Sequence, residues 1–289
     1  MKKDQHFSDA IKIMSPSEFD RLSGFISAHF GIKMPPAKKT LLESRLQKRL
    51  RILGLVSFHD YCDYLFKGPE GADEMVLMIN AVTTNKTDFF REPGHFTFLT
   101  DTVLPEFAGG RAPNDGQRFS IWSAGCSSGE EPYTLAIVLS EFATLHPCLP
   151  FSITATDIST RVLDKARLGI YDEDQIAMMP EEFRQKYFVR SKDREKGLVR
   201  VAPAVRSLIQ FLRLNLMDDR YPFREASVNA ILCRNVMIYF DRETQRALLG
   251  RFCRYLRTGG YLFLGHSETI YGFELPLVRI ASTIYRKIL

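Results

Sequence analysis

WSAGCSSGEEPYTLA, the stretch from Trp122 to Ala136, joins the end of an apolar run to two glycines, two carboxylates and a proline. This order predicts a buried strand, a glycine-rich turn and a helix that begins at Pro132, where a missing N–H costs nothing. Gly125 and Gly129 would let the backbone pass close to a ligand, as such turns do in nucleotide-binding α/β folds. The stretch therefore predicts a cofactor loop that includes Gly125.

The charges of this loop argue against a phosphate ligand. The spacing matches neither G-x-G-x-x-G nor G-x-x-x-x-G-K-S/T. Glu130 and Glu131 lie where a pyrophosphate would meet the helix N-terminus, and they would repel it. A cationic nucleoside without phosphates, such as S-adenosylmethionine, fits better. An ordinary turn with capping carboxylates is the alternative at this point.

Composition places the chain among folded globular proteins of the cytoplasm. Its 289 residues are 45% hydrophobic, enough for the cores of two domains, and the net charge of +5 is modest. No apolar run follows Lys2 and Lys3, and none reaches membrane-spanning length, so we expect neither a signal peptide nor membrane insertion. An odd number of cysteines without C-x-x-C predicts no disulfide framework and no metal site. The cysteines are Cys62, Cys126, Cys148, Cys233 and Cys253.

The N-terminal part predicts a short extension, residues 1–14, and an all-α domain, residues 15–82. Ser15 and Glu18 form a capping box around Pro16, ahead of a helix over about 16–29. A second helix, about 38–53, ends at Gly54. Its leucines at helical spacing predict a core-facing stripe, and further helices are expected near 57–67 and 73–82. The stripe consists of Leu42, Leu46, Leu50 and Leu53.

Basic residues cluster beside this leucine stripe. Four of them fall within an arc of about 100°, at 100° per residue, whereas Arg51 projects elsewhere. Such a face suits an acidic helix or a phosphate backbone, and a merely solvated face is the alternative. We predict that it binds the substrate. The four residues are Lys38, Arg45, Lys48 and Arg49.

The stretch TTNKTDFFREPGHF, residues 83–96, connects the two domains. A simple linker would not place Phe89 and Phe90 beside Arg91, so we expect this segment to pack against the second domain and contribute to the active site. Pro93 predicts the start of another helix, and a Gly, Pro, Asn and Asp loop follows over 109–117.

From residue 97 onwards we expect an α/β cofactor-binding domain. Strands over 118–123 and 151–156 alternate with helices over 132–145 and from Ser159, which predicts a parallel, doubly wound sheet with its ligand at the carboxyl ends of the strands. Asp157 follows the second strand, 28 residues after Gly129, where a carboxylate can accept both ribose hydroxyls. A cap or turn residue is the alternative for Asp157.

Residues 170–206 interrupt the alternation and predict an inserted, small antiparallel β-subdomain. Residues 197–201 read as a short exposed strand whose edge can pair with an extended peptide, with surface decoration as the alternative. The main pattern resumes with strands over 209–215 and 228–233 and a helix capped by Asp241. A turn at Gly259 and Gly260 and strands near 261–264 and 277–286 complete the pattern.

Six short motifs place the chain beside a known family. They are TTNKTDFFRE (83–92), WSAGCSSGEEPY (122–133), TATDIS (154–159), LNL (214–216), CRNVMIYF (233–240) and GHSE (265–268). With them the chain resembles the CheR family of chemoreceptor glutamate methyltransferases, from about residue 15 to the last residue. The resemblance implies a helical receptor-recognition domain, a Rossmann-like methyltransferase sheet and an inserted β-subdomain.

The resemblance also implies an activity and its site. Methyl transfer from S-adenosylmethionine to receptor glutamates would give methyl esters and S-adenosylhomocysteine. The implied partners are the cytoplasmic helices of methyl-accepting chemotaxis receptors, and a receptor C-terminal peptide at the 170–206 insertion. We expect a cytoplasmic monomer, recruited to membrane receptor arrays. Arg91 and Tyr239 are the implied catalytic residues, and the implied cofactor contacts are Asn85, Thr87, Arg91, Glu131, Asp157, Asn215, Leu216, Cys233, Arg234 and Asn235.

Physical chemistry is consistent with these roles. A glutamate is already ionised at neutral pH, so its attack on a methyl carbon needs no general base. We therefore expect His266 to be structural. An arginine bound tightly to the attacking carboxylate would stabilise the reactants, so we assign Arg91 mainly to the carboxylate of the cofactor.

Two other functions remain open from the sequence. A nucleic-acid methyltransferase would use the fold and the basic face, but the segment from Arg234 to Tyr239 lacks the prolines of the D/N-P-P-Y/F motif that amino-methylating enzymes carry. A receptor-docking adaptor that binds the cofactor without turnover is the second alternative, and the presence of Arg91, Asp157 and Tyr239 argues against it. We expect no nucleic-acid partner.

Overall fold

The computed structural model describes residues 13–109, 118–146 and 149–289. The chain divides into two compact units, Met1–Thr83 and Thr84–Leu289. Most of the 1–14 extension, Cys148 and the loop over 110–117 lie outside the described residues. No helix among those described is long and apolar enough to cross a membrane.

The first unit is entirely helical within the described residues. Ser15 caps the first helix, because its hydroxyl accepts from Glu18 N at 3.3 Å while the Glu18 carboxylate accepts from Ser15 N at 2.6 Å, as the capping box predicted. Gly54 ends the second helix with a left-handed φ of 69°. The helices are α1 (Pro16–Phe30), α2 (Lys39–Leu53), α3 (Phe58–Lys67) and α4 (Gly71–Val82), and a 3₁₀ turn, Pro36–Lys38, precedes α2.

A buried polar triad lies within the apolar core of this unit. Glu74 is 2% exposed and accepts from Tyr61 Oη at 2.8 Å and from Arg49 Nε at 2.9 Å. Arg49 also donates through Nη2, so the pair is bidentate. Burial raises the pKa of Tyr61, and the hydrogen bond that Arg49 donates to Glu74 raises the pKa of Arg49. The triad ties α2 to α3 and α4.

The basic face of α2 is therefore only partly available. Arg49 forms an ion pair with Glu74, and Arg45 donates to the carbonyl of Val82. Lys48 is exposed, as is Arg51. Burying the leucine stripe brings Arg49 against the carboxylate of Glu74 and Arg45 against the carbonyl of Val82, so only part of the predicted basic face is exposed.

The second unit is built on a mixed seven-stranded sheet. Its order is β6-β2-β1-β7-β8-β10-β9, and only the contacts of β10 are antiparallel. The Rossmann-like fold is confirmed, with one reversed strand that the alternating pattern did not predict. The strands are β1 (Phe119–Ala124), β2 (Phe151–Asp157), β6 (Ile209–Arg213), β7 (Val228–Cys233), β8 (Leu256–Leu264), β9 (Leu277–Ala281) and β10 (Ile284–Lys287).

Helices connect the strands close to where the sequence places them. The central helix begins two residues before Pro132, which still lies in the first turn, where backbone N–H groups have no helical partner. Asp241 caps the last helix by accepting from Thr244 N at 2.8 Å. The helices are α5 (Gly94–Phe98), α6 (Leu104–Gly109), α7 (Glu130–Leu145), α8 (Thr160–Leu168), α9 (Glu181–Tyr187), α10 (Pro203–Arg206) and α11 (Arg242–Tyr255), with a π-helical turn, Leu99–Val103, between α5 and α6.

The insertion forms the expected small antiparallel sheet, but its middle strand differs from the prediction. The sheet has the order β3-β5-β4, with β3 (Ile170–Asp172), β4 (Phe188–Arg190) and β5 (Leu198–Val201). β5 was expected as an exposed edge. It is instead central, with Val199 and Val201 buried, so only β3 and β4 offer free edges.

The end of the chain also departs from the prediction. Gly259 and Gly260 lie inside β8, at an irregularity where its pairing with β7 shifts register and Gly259 has a left-handed φ of 80°, rather than in a turn between two elements. A Cβ on Gly260 would come within 3.0 Å of the Asn229 carbonyl, so this glycine permits close strand packing. The single strand expected over 277–286 is a hairpin, β9 and β10, turned at Ser282 and Thr283.

The triad yields a stability prediction. Arg49→Ala should lower the free energy of unfolding by about 3 kcal/mol, because it leaves a buried carboxylate without its cation. Lys48→Ala, on the exposed face of the same helix, is the matched control and should stay within about 0.5 kcal/mol of the wild type. Urea unfolding followed by circular dichroism measures both, and equal midpoints for the two variants would show that the pair contributes nothing.

Candidate functional site

The residues expected to bind the cofactor follow four neighbouring parallel strands. β6, β2, β1 and β7 are adjacent, and their registers pair Asp157 with Arg213, Ala124 with Thr156, and Ser123 with Leu232. Their carboxyl ends therefore meet at one edge of the sheet, where ligands of doubly wound folds bind. The structure brings together at this edge Gly125, Glu131, Asp157, Asn215, Leu216, Cys233, Arg234 and Asn235.

The two loop glycines are required by the protein's own packing. Gly125 and Gly129 have φ values of 85° and 100°. A Cβ on Gly125 would lie 2.4 Å from Val236 Cγ2, and one on Gly129 would lie 2.8 Å from Ala166 Cβ and 2.9 Å from Tyr171 Oη. Both glycines are thus needed for the packing of neighbouring side chains, and their approach to a ligand stays a prediction.

Asp157 is buried and holds the glycine-rich loop in place. Its Oδ2 accepts from Ser127 N and its Oδ1 from Ser159 N, both at 2.9 Å. Burial raises the pKa of Asp157, while these backbone donors oppose the shift. A carboxylate offers about four acceptor positions, so two backbone bonds leave capacity for a further donor such as a hydroxyl.

Glu131 and Arg234 form a buried ion pair beside the loop. Arg234 Nη1 lies 3.2 Å from Glu131 Oε2, and Glu131 Oε1 accepts from Ser123 Oγ at 2.6 Å. The side chain of Arg234 is 3% exposed. Burial raises the pKa of Glu131, and the charge of Arg234 counteracts that shift. The pair joins the first turn of α7 to the end of β7.

Arg234 also fixes the segment that precedes α5. Its Nη2 lies 3.3 Å from Glu92 Oε2 and donates to the carbonyl of Arg91. Phe90 and Glu92 have φ values of 52° and 55°, which is uncommon for residues other than glycine. Such backbone persists only where its surroundings determine it strongly. The hydrogen bonds of Arg234 and that of Phe90 N to Thr134 Oγ1, at 3.1 Å, supply this support.

The aromatic residues of this segment pack on the α/β core, as expected for 83–96. Phe89 contacts Tyr171 and Phe188 with ring centroids 5.0 and 5.5 Å apart. Phe90 packs against Phe96 and Phe183. The segment thereby packs between the inserted β-subdomain and α5.

The polar residues of the same segment lie near the loop. Ser127 Oγ donates to the carbonyl of Asn85 at 3.1 Å, which places this residue against the glycine-rich loop. Thr87 and Arg91 are half-buried, and Arg91 Nη1 donates to the carbonyl of Lys86 at 3.2 Å. The backbone of this segment is therefore held at the edge of the sheet.

Glu268 shapes the segment that carries Tyr239, a role that no sequence argument identified. Its carboxylate accepts from the backbone N–H of Gly265, Asn235 and Met237 at 2.6, 3.0 and 2.7 Å. Burial raises the pKa of Glu268, and these donors oppose it. Tyr239 is half-buried and ends the 3₁₀ turn Met237–Tyr239 that Glu268 anchors. The motif GHSE was the only signal for this residue.

Asn215 and Leu216 follow β6. The backbone of Leu214 donates to the Asp157 carbonyl at 3.0 Å, so this loop adjoins the end of β2. Asn215 Oδ1 accepts from Met217 N at 3.0 Å, and Leu216 is 9% exposed.

Glu92 also belongs to a cluster with two histidines. Glu92 Oε2 lies 3.6 Å from His95 Nδ1 and 3.9 Å from His266 Nε2. Burial, followed by the charge of Arg234, lowers the pKa of His95 to about 4, so its imidazole is neutral at pH 7. Burial alone would raise the pKa of Glu92, but Arg234 and the backbone N–H of His266 lower it.

The residues expected to bind the substrate belong to the other unit. They lie on α2 or just before it, and they are Lys38, Arg45, Lys48 and Arg49. Their role stays a prediction, with Arg49 committed to the buried triad.

Family models match almost the whole described chain. A model described as the SAM-binding domain of CheR methyltransferase matches residues 85–285, and one described as the all-alpha domain of CheR methyltransferase matches residues 17–83. The S-adenosylmethionine site is consistent with the geometry above, because the strand ends present buried carboxylates and no phosphate-binding sequence.

Curated relatives are similar in sequence to this chain over most of their length. A chemotaxis protein methyltransferase of Borreliella burgdorferi is 41% identical over 276 residues, covering 95% of both chains. One of Escherichia coli is 37% identical, covering 94% of this chain and 91% of its own. Chemotaxis protein methyltransferase 2 of Pseudomonas aeruginosa is 39% identical, covering 88% and 87%. The chain therefore belongs to the CheR family of S-adenosylmethionine-dependent chemotaxis methyltransferases.

Proposed function

We propose that this enzyme transfers the methyl group of S-adenosylmethionine to glutamate side chains of methyl-accepting chemotaxis receptors, forming methyl esters. The observation that carries the proposal is the pair of carboxylates at this edge of the sheet, the buried Asp157 and Glu131, whose side chain is 14% exposed, around a loop that offers no phosphate site. Acceptors of this kind suit the hydroxyls and the ammonium of the cofactor. The family membership supports the same activity.

Arg91, Asn85 and Thr87 are proposed to bind the methionine end of the cofactor. The charge balance supports Arg91, since its guanidinium donates only to a backbone carbonyl in the contacts described for it, whereas Arg234 lies between two carboxylates. A cofactor carboxylate would therefore favour Arg91. Arg234, with Cys233 and Asn235, would then shape the wall beside the methyl group.

The reaction needs positioning more than acid–base chemistry. A glutamate anion attacks a methyl carbon on a sulfonium, and both charges disappear, so a site that excludes water favours the transition state. In-line placement of the oxygen, carbon and sulfur supplies much of the rate increase. We propose that Tyr239 orients the attacking carboxylate with one neutral hydrogen bond.

Methylation assays separate this function from its alternatives. With labelled cofactor, receptor cytoplasmic fragments should become methylated on glutamate, whereas DNA and RNA should not. Incorporation into nucleic acid alone would establish the nucleic-acid methyltransferase, and cofactor binding without incorporation would establish the adaptor. Peptide mass spectrometry identifies the esterified glutamates.

The role of Tyr239 gives a kinetic prediction in the same assay. Tyr239→Phe keeps the ring and removes one hydroxyl, so kcat should fall about two- to tenfold, the range for one neutral hydrogen bond, while cofactor affinity stays the same. Tyr271→Phe, at a residue 85% exposed, is the matched control. An unchanged kcat in Tyr239→Phe would leave Tyr239 with a packing role.

Asp157 gives a binding prediction. Asp157→Ala should weaken S-adenosylmethionine binding by about 1.5 to 3 kcal/mol, because hydrogen bonds to a charged group are lost and Ser127 N loses its acceptor. Isothermal titration calorimetry measures the affinity, and circular dichroism verifies the fold. Asp164→Ala, at an exposed carboxylate on α8, should bind normally. Wild-type affinity in a folded Asp157→Ala protein would rule out that Asp157 binds the ribose hydroxyls of the cofactor.

We also propose that the exposed part of the basic face docks on acidic receptor helices. Lys48→Glu should raise the KM for receptor a fewfold at low ionic strength and leave cofactor affinity unchanged, and added salt should reduce the difference. Arg51→Glu makes the same charge change on α2 in another direction and should have a smaller effect. Initial rates measured against receptor concentration test this prediction. Equal KM values for the two variants would exclude the basic face as the surface that docks on the receptor.

Recruitment would keep this enzyme in the cytoplasm beside membrane receptor arrays. The insertion provides a second means of attachment, because β3 and β4 leave the outer edges of the small sheet unpaired by the described strands. A receptor C-terminal peptide could add there as a further strand.

A further inference from the structure

The cluster of Glu92, His95 and His266 contains a buried nitrogen that the described residues leave without a hydrogen-bond partner. His95 is 4% exposed, and among the described residues its Nδ1 has no donor or acceptor within hydrogen-bonding range. Buried polar atoms are nearly always satisfied, so this atom requires an explanation. It points toward the carboxylate of Glu92, 3.6 Å away.

The other ring nitrogen determines the tautomer of His95. Thr283 Oγ1 donates to the carbonyl of Ser282 at 2.8 Å and, with its hydroxyl in that orientation, accepts from His95 Nε2 at 3.0 Å. In this arrangement the ring proton is on Nε2, and Nδ1 presents a lone pair toward Glu92. A lone pair that faces a carboxylate oxygen is unfavourable unless an electrophile or a donor lies between them.

The ligand atoms have the spacing of a metal site. One ligand atom each from Glu92, His95 and His266 lies within 4.8 Å of the other two. Bonds of about 2.0 to 2.2 Å in a tetrahedral site place ligand atoms roughly 3.4 Å apart. The observed 3.6 and 3.9 Å need only a small contraction, which the ring of His266, 64% exposed, can provide.

We propose that Glu92, His95 and His266 bind one divalent transition-metal ion of the Zn²⁺ class, with water completing its coordination. Two imidazoles and a carboxylate are ligands that such ions prefer over Mg²⁺ or Ca²⁺. The hydrogen bond from His95 Nε2 to Thr283 is the kind of outer contact that orients metal-binding histidines. The exposed side of His266 provides the entry path. The absence of C-x-x-C predicted no metal site, but these ligands are not cysteines.

The surrounding charges allow a cation at this position. Arg234 lies 3.3 Å from the same oxygen of Glu92, and it also pairs with Glu131. The three groups together carry one net negative charge. The backbone N–H of His266 is bonded to Oε1 of Glu92 and leaves Oε2 as the metal ligand. The ion would join the Glu92 segment to the loop after β8, behind the ion pair of the cofactor site.

Cobalt and zinc titrations of the purified full-length chain test the site. The wild type should bind one equivalent of Co²⁺ with the intense visible bands of low-coordinate cobalt, and Zn²⁺ should displace them. His266→Ala should weaken the affinity at least about tenfold and abolish the bands. Because His266 is at the surface, this variant should fold, and circular dichroism verifies it.

A control variant and a variant of a second proposed metal-binding residue make the outcome decisive. His59→Ala removes a histidine whose side chain is 72% exposed, in the helical unit, and should leave binding unchanged. Glu92→Gln should lose affinity as His266→Ala does. The proposal is overturned if the wild type binds less than half an equivalent, if His266→Ala binds as tightly as the wild type, or if His59→Ala loses as much. Water alone would then occupy the space beside Nδ1.

Discussion

The guanidinium of Arg234 is the contact on which the candidate site depends. It is buried between Glu131 on α7 and Glu92 before α5, and it binds the carbonyl of Arg91. Burying an arginine is costly unless its charge is compensated and its donors are used, and both conditions are met here. Its partners are 103 and 142 residues away in the chain, so this one side chain brings three distant segments together.

Carboxylates at this edge of the sheet mostly bind backbone amides. Asp157 holds the glycine-rich loop, and Glu268 holds the turn before Tyr239. A loop fixed in this way loses little conformational freedom when a ligand binds. The same groups remain polar and buried, which gives the cofactor a pre-organised surface. The site is thus built from acids that hold the backbone in place, and Asp157 retains acceptor positions for a ligand.

The sequence predicted those features that depend on neighbouring residues. The capping box at Ser15 and Glu18, the cap at Asp241 and the strand that leads into Gly125 were all found, because each signal lies within a few residues. Pairing across the chain carries no such signal. The burial of Arg49 against Glu74, the central place of β5 and the strand position of Gly260 are set by partners far away in sequence.

The features of the candidate site also divide into those that the sequence predicted and those that it did not. Motif resemblance supplied positions such as Glu131 and Arg234, but not that they form an ion pair with each other. Apart from the motifs TTNKTDFFRE and GHSE, nothing local distinguishes Glu92 or Glu268 from surface glutamates, since both are polar residues in loops rich in turn formers. Their roles follow only from burial and from the donors that surround them.

The reversed strand β10 lies between β8 and β9, although it follows both in the chain. During synthesis the helical unit and the parallel strands leave the ribosome first, whereas β9 can join the sheet only after β10 has emerged. The carbonyl of Thr283, in the hairpin, accepts from Leu264 N, and the hydroxyl of Thr283 lies within hydrogen-bonding distance of His95. The nascent protein therefore exposes an unfinished sheet edge, a target for chaperones, until its last hairpin arrives.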